Sequence, residues 1–188
     1  MLQDAAKKLD APKGKVDVPN GALRDPLPLP TGEMCERKTD EKWKKALSQQ
    51  VWGAMTKLGW NYEDKVRAMM TFIMEGDFNT SARGDADNGG SGGICGLHFI
   101  HQKPSLIEAG VMTKNGKIIE EKFNQPEWQI DMCLGKYAAG VKFYGYRDAL
   151  HMGDICKDDK RDSKGKCLKV LKGKKTKAKT ILPLISCK

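Results

Sequence analysis

The apolar positions of the chain begin with two consecutive helical stripes. From Asp40 to Leu58, the residues Trp43, Leu47, Val51, Ala54, Met55 and Leu58 recur at helical spacing, which predicts one amphipathic helix. Thr39 or Asp40 is placed to cap it, and Gly59 to end it. A second helix is predicted directly after it. Asn61 is its cap, Glu63 and Asp64 fill the first turn, and Val66, Met69, Met70, Phe72 and Ile73 form its apolar side. Gly76 stops it one residue after Glu75.

The pattern then breaks. Positions 79–93 are rich in Gly, Asp, Asn and Ser and predict a loop. The apolar segment "ICGLHFIHQ" follows. "KPSLIEAGVM" predicts a short helix after Pro104, and "TKNGKII" a small hairpin about its Asn-Gly turn. A further helix starts near Pro126, with Trp128, Ile130, Asp131, Leu134, Tyr137, Ala138 and Val141 in its pattern and Glu127 in its first turn. "YRDALHMGD" reads as one or two more helical turns. Residues 1–34, punctuated by Pro and Gly, predict an extended arm, and the lysine-rich end reads as irregular. The expected fold class is mainly α, with a small β or loop element. Its organisation is an N-terminal arm 1–34, a body 35–155 and a basic C-terminal extension 156–188.

Composition adds little until charge is placed. The 188 residues suit one domain with a real core, and no apolar run approaches the roughly 20 residues of a membrane span. Of 33 basic and 24 acidic residues, 12 and 3 lie from Cys156 onward, so the body is neutral and the extension carries the net +9. A basic extension fits an anionic partner or a solvated end. The run Lys169–Lys179 contains no aromatic residue on which bases stack. That weighs against nucleic acid as the partner, and a membrane surface or an anionic cell-envelope polymer stays open.

Six cysteines, Cys35, Cys95, Cys133, Cys156, Cys167 and Cys187, are even in number, dispersed and free of CxxC pairs. Disulfides are the expectation, and with them a secreted or periplasmic protein whose signal segment has been removed. Cys156 with Cys167 is the pairing the spacing favours, closing a loop worth about 3 kcal/mol. Cys95, His98 and His101 stand three apart in turn, as metal ligands do. No fourth ligand is near them, and Cys95 serves better as a half-cystine, so no metal is expected.

Candidate chemistry centres on Glu75. A carboxylate at a helix C-terminus faces the negative end of the helix dipole, and Phe72, Ile73 and Phe78 are placed to desolvate it. Both effects keep a carboxyl group protonated, as a general acid must be. A glutamate near a helix end is ordinarily a solvated surface residue, so burial decides between the two readings. Asp85 and Asp87 lie on the glycine-rich loop, where a second carboxylate can face the first across a cleft.

The order of these parts resembles the goose-type lysozyme and soluble lytic transglycosylase family. The helix ends in "EGDF" (Glu75–Phe78), the loop carries "SARGD" (Ser81–Asp85), and "GLHFI" (Gly96–Ile100) follows. The resemblance covers roughly residues 62–150. It implies a lysozyme-like α+β domain with a small β element beside the cleft, cutting the β-1,4 bond between N-acetylmuramic acid and N-acetylglucosamine. It also implies Glu75 as catalytic acid, Asp85 as the residue that activates water, and Tyr137 lining the cleft. Asp87, Ser91, His98, Phe99, His101 and Tyr146 are further candidates for substrate contact. No cofactor is implied; the partner is the peptidoglycan glycan strand, and a monomer is expected. Gly76 stands where the family has Ser, Phe99 where it has Gln, and both "YAAG" and "YRDALHMG" compete for its late Tyr-Asn pair. These departures fit an altered glycan, such as one lacking N-acetyl groups. The alternatives are an inactive wall-binding protein of the same fold and a small basic secreted binding module.

Overall fold

The computed structural model of the chain describes residues 27–84, 90–135, 173 and 176–188. Asp85, Asp87, Tyr137, Tyr146, the Cys156–Cys167 pair, the segment "YRDALHMGD" and most of the lysine run lie outside these residues.

The two expected helices are present as α1 (Lys42–Lys57) and α2 (Tyr62–Glu75). Asn61 caps α2 as the sequence suggests, its side chain accepting the Asp64 N–H at 2.8 Å. In α1 no side chain caps the first turn; Thr39 Oγ1 instead accepts the N–H of Glu41, outside the helix. Gly59, at φ +70°, turns the chain out of α1, and the Trp60 N–H closes on the Met55 carbonyl at 3.1 Å. Leu47, Val51 and Met55 of the α1 stripe are buried, whereas Trp43 and Leu58 at its ends face solvent.

Residues Lys65–Ile73 of α2 are buried without interruption, so α2 is the central helix rather than a one-sided one. Its buried polar groups are paired. Lys65 Nζ donates to Thr56 Oγ1 at 3.1 Å and lies over the Trp52 ring, while Arg67 pairs with Glu63 and Asp64. Phe72, Phe78, Met69, Met70, Leu97, Leu106 and Phe123 complete the core. Burying each large side chain contributes about 2–3 kcal/mol.

Two small antiparallel sheets flank the helices. In the first, β1 (Cys35–Arg37) pairs with the end of the chain, β5 (Ile185–Cys187), and the Cys35–Cys187 disulfide spans their facing positions. The lysine-rich end is thus not wholly irregular: residues 176–181 are helical, and Ala178, Ile181 and Ile185 are buried in the common core. The apolar spacing of those three is what ties it down. The second sheet is β2 (Arg83–Gly84), β3 (Ser91–Gly92) and β4 (Leu97–His98), in that order. The segment expected as loop therefore contributes two of its strands. Their glycines let the backbones approach; a Cβ on Gly92 would lie 2.6 Å from the Ala82 carbonyl oxygen.

Three short helices follow: α3 (Lys103–Glu108), α4 (Glu120–Phe123) and α5 (Pro126–Leu134). The "TKNGKII" hairpin is reduced to a tight turn, with Gly116 at φ +87° and one bridge, Met112 to Ile118. In α5 the buried residues are Gln129, Ile130, Met132, Cys133 and Leu134, while Asp131 points to solvent. A second disulfide joins Cys95 to Cys133. The protein is thus mixed helix and sheet with helix predominant. Among the described residues no helix is long and apolar enough to cross a membrane.

Candidate functional site

Glu75 is the last residue of α2. Gly76 caps the helix, and Asp77 and Phe78 follow at φ +46° and +59°, two successive left-handed residues that are not glycine. Such backbone costs about 1–3 kcal/mol per residue and persists only where neighbours enforce it. Here they do. Asp77 accepts from Arg37 Nε and from Lys44 Nζ, each at 2.7 Å. Phe78 is fully buried, its ring 5.7 Å from that of Phe72. The chain is thereby turned sharply away just after Glu75, and the carboxyl group is left at the edge of the core.

The turn between β3 and β4 packs against this end of α2. Gly96, at φ +64°, is packed so tightly on Glu75 that a Cβ there would lie 2.6 Å from Oε2 and 3.2 Å from Cδ. Gly93 presses on Gly76 in the same way, its carbonyl oxygen 2.6 Å from where a Gly76 Cβ would be. The site therefore needs glycine at 76, and the serine of the resembled family would not fit without movement. Glu75 is an exposed residue, although Gly96 packs closely on one side of its carboxyl group. Burial raises its pKa above the ordinary carboxylate value, and the charge of Lys177 partly opposes this.

The other candidates divide between two faces of the small sheet. Ser91 pairs with His98 in register, so the two half-buried residues form one row with the exposed Gly84. The His101 ring stacks 4.4 Å from that of His98. His98 Nδ1 is buried and has no hydrogen-bond partner among the described residues. Phe99 faces the opposite side, edge-on to Phe123 at 5.5 Å and against Gly90 and Gly92. Cys95 is a half-cystine, as expected, and so is not a thiolate beside the two histidines. Trp60, between α1 and α2, is buried in the core.

Sequence reasoning missed Gln129. It is fully buried, and its Oε1 accepts the Ile94 N–H at 2.9 Å. Its Nε2 donates to the carbonyls of Thr80 and Phe123, at 2.9 and 2.5 Å. The available signal was a glutamine one helical turn before Cys133, amid apolar residues. Comparison of the chain with protein-family models, with curated proteins and with solved structures finds no match.

Proposed function

We propose that this protein is a peptidoglycan-cleaving glycosidase of lysozyme-like fold with Glu75 as general acid. The observation that carries the proposal is the carboxyl group of Glu75 at the end of the central helix. It is desolvated by the Gly93–Gly96 turn and has a raised pKa, while remaining open to solvent. That combination supplies a proton to a leaving glycosidic oxygen as an oxocarbenium-like centre develops. A three-stranded sheet directly after the Glu-terminated helix supports this reading, since the resemblance implies a small β element there. The Ser91–His98 row and His101 offer polar groups for an extended sugar chain.

The substrate is the β-1,4 bond between N-acetylmuramic acid and N-acetylglucosamine, or its de-N-acetylated form. If Asp85 or Asp87 faces Glu75 with room for a water, at about 6.5–9.5 Å, hydrolysis with inversion follows. Otherwise Glu75 acts as acid and then as base, the muramyl 6-hydroxyl attacks, and a 1,6-anhydro sugar leaves. The disulfides fit an oxidising compartment, hence secretion or the periplasm. The basic extension would hold the enzyme to an anionic envelope polymer.

Mass spectrometry of products from purified peptidoglycan, N-acetylated and de-N-acetylated in parallel, tests this reading. Muropeptides with reducing or 1,6-anhydro ends are expected, and Glu75→Gln should slow their release by about 10²–10⁴-fold. No product from the parent would leave a wall-binding protein without this chemistry, and equal rates from both proteins would remove Glu75 as the general acid.

A further inference from the structure

The turn Gly93–Gly96 lies between α5 and the end of α2. On its α2 side it meets Gly76 and Glu75 at the close approaches given above. On its α5 side it is held twice. Gln129 Oε1 accepts the Ile94 N–H at 2.9 Å, and Cys95 is bonded to Cys133, one helical turn further along α5. A Cβ on Gly93 would lie 2.7 Å from Gln129 Oε1, so the turn packs closely on that side chain. The same glutamine holds the Thr80 carbonyl, on the segment leading from α2 into β2.

We infer that Gln129 is a positioning residue that holds the Gly93–Gly96 turn against the carboxyl group of Glu75. The inference rests on the reading of Glu75 as the general acid. Only a neutral amide provides one acceptor and two donors on a single planar group, and all three are used here. A carboxylate keeps the acceptor and lacks both donors. A methionine keeps the approximate shape and lacks all three. A glutamine that merely satisfied buried backbone groups would affect stability alone. A positioning glutamine also controls how closely the turn crowds Glu75, and therefore how well that carboxyl group holds its proton. Among the described residues, Lys177 is the cation whose charge acts on Glu75, and it is unaltered in the variants that test this.

The experiment combines two readouts on the full chain with its disulfides intact. One is the NMR titration of the Glu75 side-chain carboxyl in the parent and in Gln129→Met. The other is kcat and KM for peptidoglycan cleavage across pH. In Gln129→Met the Glu75 midpoint should fall towards the ordinary carboxylate value. The alkaline limb of activity should move with it, and kcat should drop about tenfold to a hundredfold with KM little changed. A folded Gln129→Met with parental midpoint and kcat overturns the inference. If that variant does not fold, Gln129→Glu decides. It lacks donors when ionised and regains one when protonated, so its activity relative to the parent should recover as pH falls. A parental profile at every pH overturns the inference. If the parent cleaves nothing, the functional reading fails by itself, and the Glu75 titration still decides what Gln129 does.

Discussion

Arg37 Nε donates to Asp77 Oδ1 at 2.7 Å, joining the strand that the chain's C-terminal end covers to the bend just after Glu75. Lys44 holds the other oxygen at the same distance. Asp77 therefore carries three loads: a left-handed backbone, a pairing with a nearly buried guanidinium, and the exit direction of α2. Asp77→Ala should cost about 2–4 kcal/mol in denaturant unfolding, because it removes the carboxylate paired with Arg37 and Lys44 and replaces a residue that tolerates positive φ. Asp77→Asn keeps the backbone preference and loses only the charge, so its loss should be clearly smaller. Equal losses would mean that backbone conformation contributes nothing here.

Glu75 makes a prediction with a definite sign. Its folded-state pKa is raised by burial, against the opposing charge of Lys177, above a reference of 4.5. Its stabilising contribution is therefore full below the unfolded value and is lost as pH rises through the folded one. Glu75→Gln should unfold at a higher temperature than the parent at pH 7, and the gain should vanish near pH 4. Thermal melts at the two pH values check this. A variant less stable at pH 7 than at pH 4, relative to the parent, would contradict the sign.

Two glycines should respond oppositely to alanine. At Gly96 the Cβ meets Glu75 Oε2 at 2.6 Å and the backbone lies at φ +64°, so Gly96→Ala should lose about 1–3 kcal/mol and displace the carboxyl group. At Gly53, inside α1, a Cβ meets nothing within 4 Å. Gly53→Ala should be neutral or add up to about 1 kcal/mol through helix propensity. Urea unfolding of both, with glycan cleavage assayed beside it, separates a crowded glycine from a merely helical one.

The two disulfides among the described residues close loops of very different length. Cys35–Cys187 joins residues 152 positions apart, and Cys95–Cys133 joins residues 38 apart. On chain entropy alone they contribute about 5 and 4 kcal/mol respectively. Replacing Cys35 and Cys187 by alanine should lower the unfolding midpoint and expose the β1–β5 edge to hydrogen exchange. Replacing Cys95 and Cys133 should cost slightly less stability but more activity, since that bridge anchors the turn beside Glu75. The reverse ranking of activity would place the sensitive element at the chain end instead.

Much of the helical framework was legible in advance because it depends on local order. The Asn61 cap, the stop at Gly76 and the Glu75 position follow from residues within one or two turns of each other. The same holds for the short helices after Pro104 and Pro126. Where prediction and structure part, the deciding contact is distant. The glycine-rich segment reads as loop because its strands are two residues long, and only their mutual pairing makes them a sheet. Trp43 and Asp131 fit helical stripes but lie outside, because burial depends on what packs opposite.

What the sequence by itself determined was the helical scaffold, the dispersed cysteines that pair, and a glutamate at a helix end. What only the tertiary structure decided was the partner of that glutamate. The tertiary structure brings a turn 18 to 21 positions downstream of Glu75 (93–96) against it, and clamps that turn with a glutamine from a helix 54 positions away (Gln129). It also returns the basic end of the chain to a strand near the start. Hydrophobic spacing encodes which face of an element is buried. It does not encode which other element covers that face, and the desolvation of Glu75 depends on that cover.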